Sequence, residues 1–183
     1  MRIISGKFKG KNILIPKDKF TRPLRDMVKE SIFNILQHSK LFSCKIEKGD
    51  ILDLFSGTGS FGLECISRGA SRITFIENYR PAISVLKKNI DNFNCASITK
   101  IIDKDISAFK FSGLDKFDVI FLDPPFKYKN IGNLIISIRN LDLLKKNGLI
   151  VLHRHRNDKE ILPLEFKILK KQNYGISNIF FGY

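Results

Sequence analysis

The chain is predicted to fold as a single α/β domain, a mostly parallel sheet with helices on both faces. Three observations lead there. From residue 50 onward, short apolar runs of strand length alternate with segments of helical period. A glycine-rich turn directly follows the first of those runs. A length of 183 residues fits one domain able to bury a sizeable core.

The elements follow in order. Arg2–Ser5 and Asn12–Ile15 are expected to be two short strands of an N-terminal β-hairpin, with Gly6 and Gly10 bracketing the basic turn Lys7-Phe8-Lys9. Pro16 ends that pattern. Leu24, Met27, Val28, Ile32, Ile35 and Leu36 recur at helical spacing and predict a helix from Leu24 to about Ser39. Asp26 and Glu30 sit in its early turns, where negative charge suits the helix dipole. Strands are expected at 50–55, 71–76, 97–102, 117–122 and 149–153. Helices are expected at 60–68, 81–93 and 131–144, and Pro81 starts the second of these. Segments 164–170 and 176–183 should close the domain as a hairpin around Asn173-Tyr174-Gly175. In such a sheet, ligands sit at the carboxyl ends of the strands.

Composition bounds the function. Mean hydropathy is −0.08 and no apolar run is long enough for a transmembrane helix. The first residues lack an apolar signal-peptide core, so a cytoplasmic location is expected. Cys44, Cys65 and Cys95 are odd in number and widely spaced, which predicts three reduced thiols and no zinc site. The net charge of +14 is unevenly placed. Residues 1–45 carry 11 Lys and Arg against 3 Asp and Glu, residues 46–126 carry 10 against 11, and residues 127–183 carry 11 against 4. A near-neutral middle between two basic ends points to phosphate, and so to nucleic acid, as partner.

The stretch Asp53-Leu-Phe-Ser-Gly57-Thr-Gly59-Ser-Phe-Gly62 lies after the first core strand, and Glu77 ends the second. The glycines permit a tight turn and close approach of backbone to a ligand. Glu77 is placed to accept from ribose hydroxyls. The spacing also fits the dinucleotide fingerprint, so by itself it leaves a nicotinamide cofactor and S-adenosylmethionine both open. Asp53 tilts the balance to S-adenosylmethionine, since its carboxylate would repel a pyrophosphate but attract a cationic amino group. The chain is also short for a dinucleotide domain plus a substrate domain. Phe55 in the turn joins the expected cofactor-binding set. So does Asp105, which with Asp103 follows the third strand and is suited to accept from an adenine amino group.

Asp123-Pro124-Pro125-Phe126 ends the fourth core strand. Two prolines stiffen the backbone and remove two donors. The Asp123 carboxylate and the Pro124 carbonyl remain as acceptors beside the flat Phe126 ring. This suits a planar heterocycle bearing an amino group, held by its hydrogens and stacked on the ring. Catalysis would be mainly positioning of the nitrogen against a methyl sulfonium.

Met1-Arg-Ile-Ile-Ser-Gly-Lys-Phe-Lys-Gly-Lys11, Arg22-Pro23…Asp26…Lys29-Glu30…Phe33-Asn34-Ile-Leu36, the glycine turn through Glu64, Ser67-Arg68-Gly69-Ala70 and Asp123–Phe126 together resemble the bacterial 16S ribosomal RNA guanine-N2 methyltransferases. The resemblance covers nearly the whole chain. It implies a Rossmann-like class I methyltransferase fold with a seven-stranded sheet whose last strand is antiparallel. It implies S-adenosylmethionine as methyl donor and a guanine of small-subunit ribosomal RNA as acceptor. Asp53, Gly57, Gly59 and Glu77 would bind the cofactor, Asp123 to Phe126 would hold the target base, and the N-terminal hairpin would grip RNA. Arg2, Lys7, Lys9, Lys11, Arg22 and Arg25 are the RNA-binding candidates. A monomer acting on the small ribosomal subunit, with no metal and no membrane, is expected.

The sequence departs from the family at Leu24, where Thr is usual, and at Met27, where Arg is common. The fifth strand ends in His153-Arg154-His155-Arg156, where an acid is usual. His153 and His155 have no third ligand nearby in sequence, which leaves RNA contact or a solvated strand end. The rival enzyme is a DNA adenine-N6 methyltransferase, for which the chain has no room for a target-recognition region. A protein-glutamine methyltransferase would more often have Asn at position 123. A non-catalytic RNA-binding module on the same fold is opposed by intact Asp53, Glu77 and Asp123.

Overall fold

The computed structural model describes residues 1–18 and 24–183; Arg22 lies outside the described residues. The elements are α1 (Asp26–His38), β1 (Asp50–Leu54), α2 (Ser60–Ser67), β2 (Arg72–Glu77), α3 (Arg80–Asn92), β3 (Thr99–Asp103), β4 (Phe117–Leu122), α4 (Ile131–Asn140), β5 (Leu144–His155), β6 (Ile168–Tyr174) and β7 (Ser177–Gly182). A single 3₁₀ turn, Ala96–Ile98, leads into β3.

The seven strands form one sheet in the order β3-β2-β1-β4-β5-β7-β6. All neighbours from β3 to β5 pair in parallel, and β7 runs antiparallel to both β5 and β6. The order reverses between β1 and β4, which opens a crevice at their carboxyl ends. Alternation within the strands assigns the two faces. Ile51, Phe75, Val119, Phe121 and Val151 pack with α1, α2 and α3, whereas Leu52, Leu54, Ile76, Ile120, Leu122 and Leu152 pack with α4. Both faces are covered, so the central strands are almost wholly buried.

The N-terminal hairpin is smaller than the sequence predicts. Its two arms share one isolated bridge, Arg2 with Asn12. The Ile3 and Ile13 amides still give across the arms, to the Lys11 and Met1 carbonyls, but later donors are taken elsewhere: the Ile4 and Ser5 amides give to the buried Glu64 carboxylate at 2.7 and 3.0 Å, and the Phe8 amide gives to Ser67 Oγ at 2.9 Å. Backbone groups that pair with α2 cannot also pair across a hairpin. Further on, buried Asn89 of α3 accepts from the Leu14 amide and donates to the Leu14 carbonyl. The N-terminal segment is thus fastened to α2 and α3 as well as to itself. Gly6 makes this possible, since a Cβ there would lie 1.9 Å from the Ser67 carbonyl oxygen.

Other boundaries move as well. The helix expected at 131–144 stops at Asn140, and β5 starts at Leu144, five residues early. Lys145 explains the early start, reaching Asp50 at 2.6 Å and Asp118 at 2.7 Å and tying this segment to β1 and β4. The strand expected at 164–170 begins only at Ile168, after a turn closed by the Phe166 amide on the Pro163 carbonyl. Among the described residues no helix is long and apolar enough to cross a membrane, and all three cysteines are free thiols.

Candidate active site

A cleft of about 620 Å³ opens where β1, β2 and β4 end. It is lined by Asp53, Phe55 and Gly57 from β1 and its turn, by Glu77, by Asp105, and by Asp123 through Phe126. Residues assigned separately to cofactor and to target base therefore share one continuous space. Arg25 and Val28 border it from the start of α1, and His153 and Ser177 from β5 and β7.

The glycine turn owes its shape to left-handed backbone at three positions: Phe55 (φ 57°), Gly57 (φ 54°) and Gly59 (φ 82°). For Phe55 this is costly, and such strain persists where surrounding contacts hold it. Its ring meets Tyr128 edge-on at 4.9 Å, and the adjacent Ser56 amide gives to the Ile76 carbonyl. Gly59 does not line the cleft. It lets α2 start close to α3, since a Cβ there would meet Leu86 at 2.5 Å. Gly62 lets α2 lie close to the sheet, where Phe75 of β2 would be 2.3 Å from a hypothetical Cβ.

Asp53 is 1% exposed and accepts from the Gly62 amide at 3.0 Å. Burial pushes its carboxyl well above the usual range, and the nearby charges of Asp123 and Glu77 push the same way against that hydrogen bond. Such a group is poised for a cation. Glu77 spans the turn: Oε2 accepts from the Gly57 amide at 2.7 Å and Oε1 from the Asn78 and Tyr79 amides, each at 2.9 Å. Of the two acids after β3, Asp105 borders the cleft and holds the Ser107 amide at 2.8 Å, while Asp103 lies outside it.

At the other end of the cleft, Asp123 Oδ1 lies 2.7 Å from His153 Nδ1, and His153 Nε2 lies 2.8 Å from Ser177 Oγ. Sequence reasoning placed His153 on a solvated strand end or against RNA. The fold instead brings it into the site, because β5 lies beside β4 and Leu122 pairs with Leu152, one residue short of both Asp123 and His153. Phe126 is 42% exposed and meets the His155 ring edge-on at 4.9 Å.

A second group missed from sequence lies behind the turn. Lys29 is fully buried; its ammonium gives to the Arg2 carbonyl at 2.7 Å and to Ser60 Oγ at 3.3 Å, and lies 3.8 Å from Glu64. Burial lowers its pKa, against the opposing pull of Glu64 and Asp26. Glu64 also accepts from Arg68 at 2.8 Å. The pair joins the N-terminal segment, α1 and α2 at the rear of the glycine turn. A signal was present: Lys29 falls on the same helical stripe as Ile32, Phe33 and Leu36.

The RNA-binding candidates divide. Arg2 is exposed, and Lys7 and Lys9 lie on the exposed turn. Arg25 is exposed on the cleft's edge. Lys11 is partly committed within the molecule, capping the Asn92 carbonyl at the end of α3 and lying 4.7 Å from the Phe93 ring centre.

Comparison with known proteins agrees with this geometry. The family model for Conserved hypothetical protein 95 matches residues 1–183. The chain belongs to this family, that of ribosomal RNA small subunit methyltransferase D. The Haemophilus influenzae protein of that name is 32% identical over 179 residues, spanning 96% of this chain and 90% of its own length. The solved structure of yhhF from Escherichia coli has a TM-score of 0.81 at 25% identity, covering 99% of this chain and 96% of that one. An RNA methyltransferase from Salinibacter ruber, solved with S-adenosyl-L-homocysteine, has a TM-score of 0.60 at 13% identity over 88% of this chain and 92% of that one. It bears on the fold, which is the Rossmann-like class I methyltransferase fold expected from the sequence.

Proposed function

We propose that the protein transfers a methyl group from S-adenosylmethionine to the exocyclic N2 of a guanine in small-subunit ribosomal RNA. The observation that carries this reading is the shared cleft in which Asp53 and Glu77 face the same space as Asp123–Phe126. Family membership supports the substrate class, and the shared cleft supports the residue roles given below.

The residues present fit the methyl donor. A buried, proton-hungry Asp53 suits its cationic amino acid end, Glu77 its ribose hydroxyls, and Asp105 its adenine amino group. Gly57 offers open backbone and Phe55 an apolar wall. Bound there, the donor supplies a methyl carbon on a sulfonium. The chain's own residues do the rest. The Asp123 carboxylate and the Pro124 carbonyl accept the amino hydrogens of the guanine, and Phe126 stacks on its ring. Held this way, the nitrogen lone pair turns toward the methyl group; most of the rate gain is alignment. The Asp123 carboxylate also lies where it can take the proton that the methylated nitrogen sheds. Arg25 on the cleft edge and Lys7 and Lys9 on the N-terminal turn meet phosphates around the flipped base. The protein acts as a monomer on the subunit.

The test is incubation with tritiated S-adenosylmethionine and unmethylated small subunits, with DNA in parallel. Label in 16S RNA that digests to N2-methylguanosine supports the reading. Label in DNA, or cofactor binding with no label in RNA, overturns it.

A further inference from the structure

The proposed chemistry asks Asp123 to present one carboxylate oxygen to an amino group in a fixed direction. A carboxylate at the end of a strand rotates about its own side-chain bonds unless something holds it. We infer that His153 is the positioning residue that does so, with Ser177 behind it, and this inference rests on the function proposed above.

The distances define the arrangement. His153 Nδ1 lies 2.7 Å from Asp123 Oδ1, and Nε2 lies 2.8 Å from Ser177 Oγ. An ionised carboxylate only accepts, so Nδ1 carries the proton of the first contact. The hydroxyl of Ser177, able to donate or accept, serves the other ring nitrogen and holds the ring plane. With Oδ1 occupied by the imidazole, Oδ2 is the oxygen offered to the substrate. The His153 side chain is 13% exposed and that of Asp123 24%, so the contact is sheltered from competing water. Such a hydrogen bond between a charged acceptor and a fixed donor is worth more than its exposed counterpart.

The sheet explains why these three meet. β5 is the strand on which the parallel sheet turns antiparallel, pairing with β4 on one side and β7 on the other. His153 is paired with Ile179 across that second junction, and Ser177 pairs with His155, two residues on. Residues two apart share a sheet face, so the Ser177 hydroxyl comes to the same side as the His153 ring. The base-holding end of the site is thereby braced by the antiparallel strand.

The test separates this role from general packing. His153→Ala should lower kcat by roughly 10- to 100-fold, the loss expected when a reacting group is misplaced by about an ångström, with KM for S-adenosylmethionine unchanged. His153→Asn puts an amide nitrogen where Nδ1 was and should restore most of the activity. His153→Gln reaches to the Nε2 position instead and should not. Imidazole nitrogen NMR of the protein without substrate reads the same contact independently: a protonated Nδ1 in the native protein should lose its hydrogen-bonded signature in Asp123→Ala. If His153→Ala keeps the native kcat, or if Asn and Gln behave alike, the positioning role is overturned. If the NMR contact is present while the native protein labels no RNA, the proposed reaction fails and the Asp123–His153–Ser177 link stands.

Discussion

Replacing Asp53 by Asn should strengthen the fold and weaken cofactor binding together. The carboxylate is 1% exposed and accepts a hydrogen bond from the Gly62 amide at 3.0 Å. An Asn amide oxygen can accept the same bond, at the loss of its charge assistance, about 1 kcal/mol. Against that stands the burial of a charge, which costs several kcal/mol even after relaxation. Burying the new Asn NH2 costs a further ~1–2 kcal/mol, so the net gain is on the order of 1–2 kcal/mol, or roughly 3–6 °C in Tm for a domain of this size. The sign with pH follows from linkage. Burial raises the Asp53 pKa in the folded state, so its contribution to stability is fully present below the ordinary carboxylate pKa and is lost as pH rises through the folded value. The advantage of the Asp53→Asn variant over the native chain should therefore grow from pH 5 to pH 8. Saturating S-adenosylmethionine should reverse the order, because a donor at about 100 times Kd adds about 2.7 kcal/mol to the native protein and much less to the variant. Thermal melts across pH, with and without the donor, decide it. A variant less stable than the native chain at pH 8, or one shifted equally by the donor, refutes the reasoning.

Asp123→Ala should abolish methyl transfer while the donor still binds, as read by calorimetry beside the labelling assay; retained activity would remove Asp123 from the base-holding role. Lys29→Ala leaves the buried Glu64 with Arg68 as its remaining cation and removes the donor from the Arg2 carbonyl and Ser60, and should cost about 1–3 kcal/mol, seen as a lower denaturation midpoint, whereas a near-neutral change would show that the N-terminal segment is held by its backbone bonds alone. Replacing Lys7 and Lys9 together should weaken RNA binding and lower the slope of log K against log salt by about 2 if each meets one phosphate, with Tm unchanged; an unaltered slope would place the phosphate contacts elsewhere.

Much of the fold was legible because its signals are local. The run before the glycine turn, the period of α1, Pro81 at the start of α3 and the two prolines after β4 each mark an element within a few residues. The failures share a cause. Arg2–Ser5 reads as a strand, yet the Ile4 and Ser5 amides go to Glu64, about 60 residues away. The start of β5 depends on Lys145 finding Asp50 and Asp118, again a distant partnership. Asp103 and Asp105 are alike in sequence, and only the path of the chain after β3 puts one beside the cleft and the other outside it.

The sequence by itself determined the alternation of strands and helices, the glycine-rich turn, the rigid Asp-Pro-Pro-Phe end and the basic flanks, because each is written in contiguous residues whose backbone preferences and charges act locally. Tertiary structure alone decided that His153 meets Asp123 with Ser177 behind it, and that Lys29 and Glu64 lie buried behind the turn. Those contacts arise from strand order and helix packing, which bring together side chains 24 to 35 residues apart in the chain. No local propensity specifies which buried charge will find which partner. That is settled by the sheet order, in which β5 lies between β4 and the antiparallel β7.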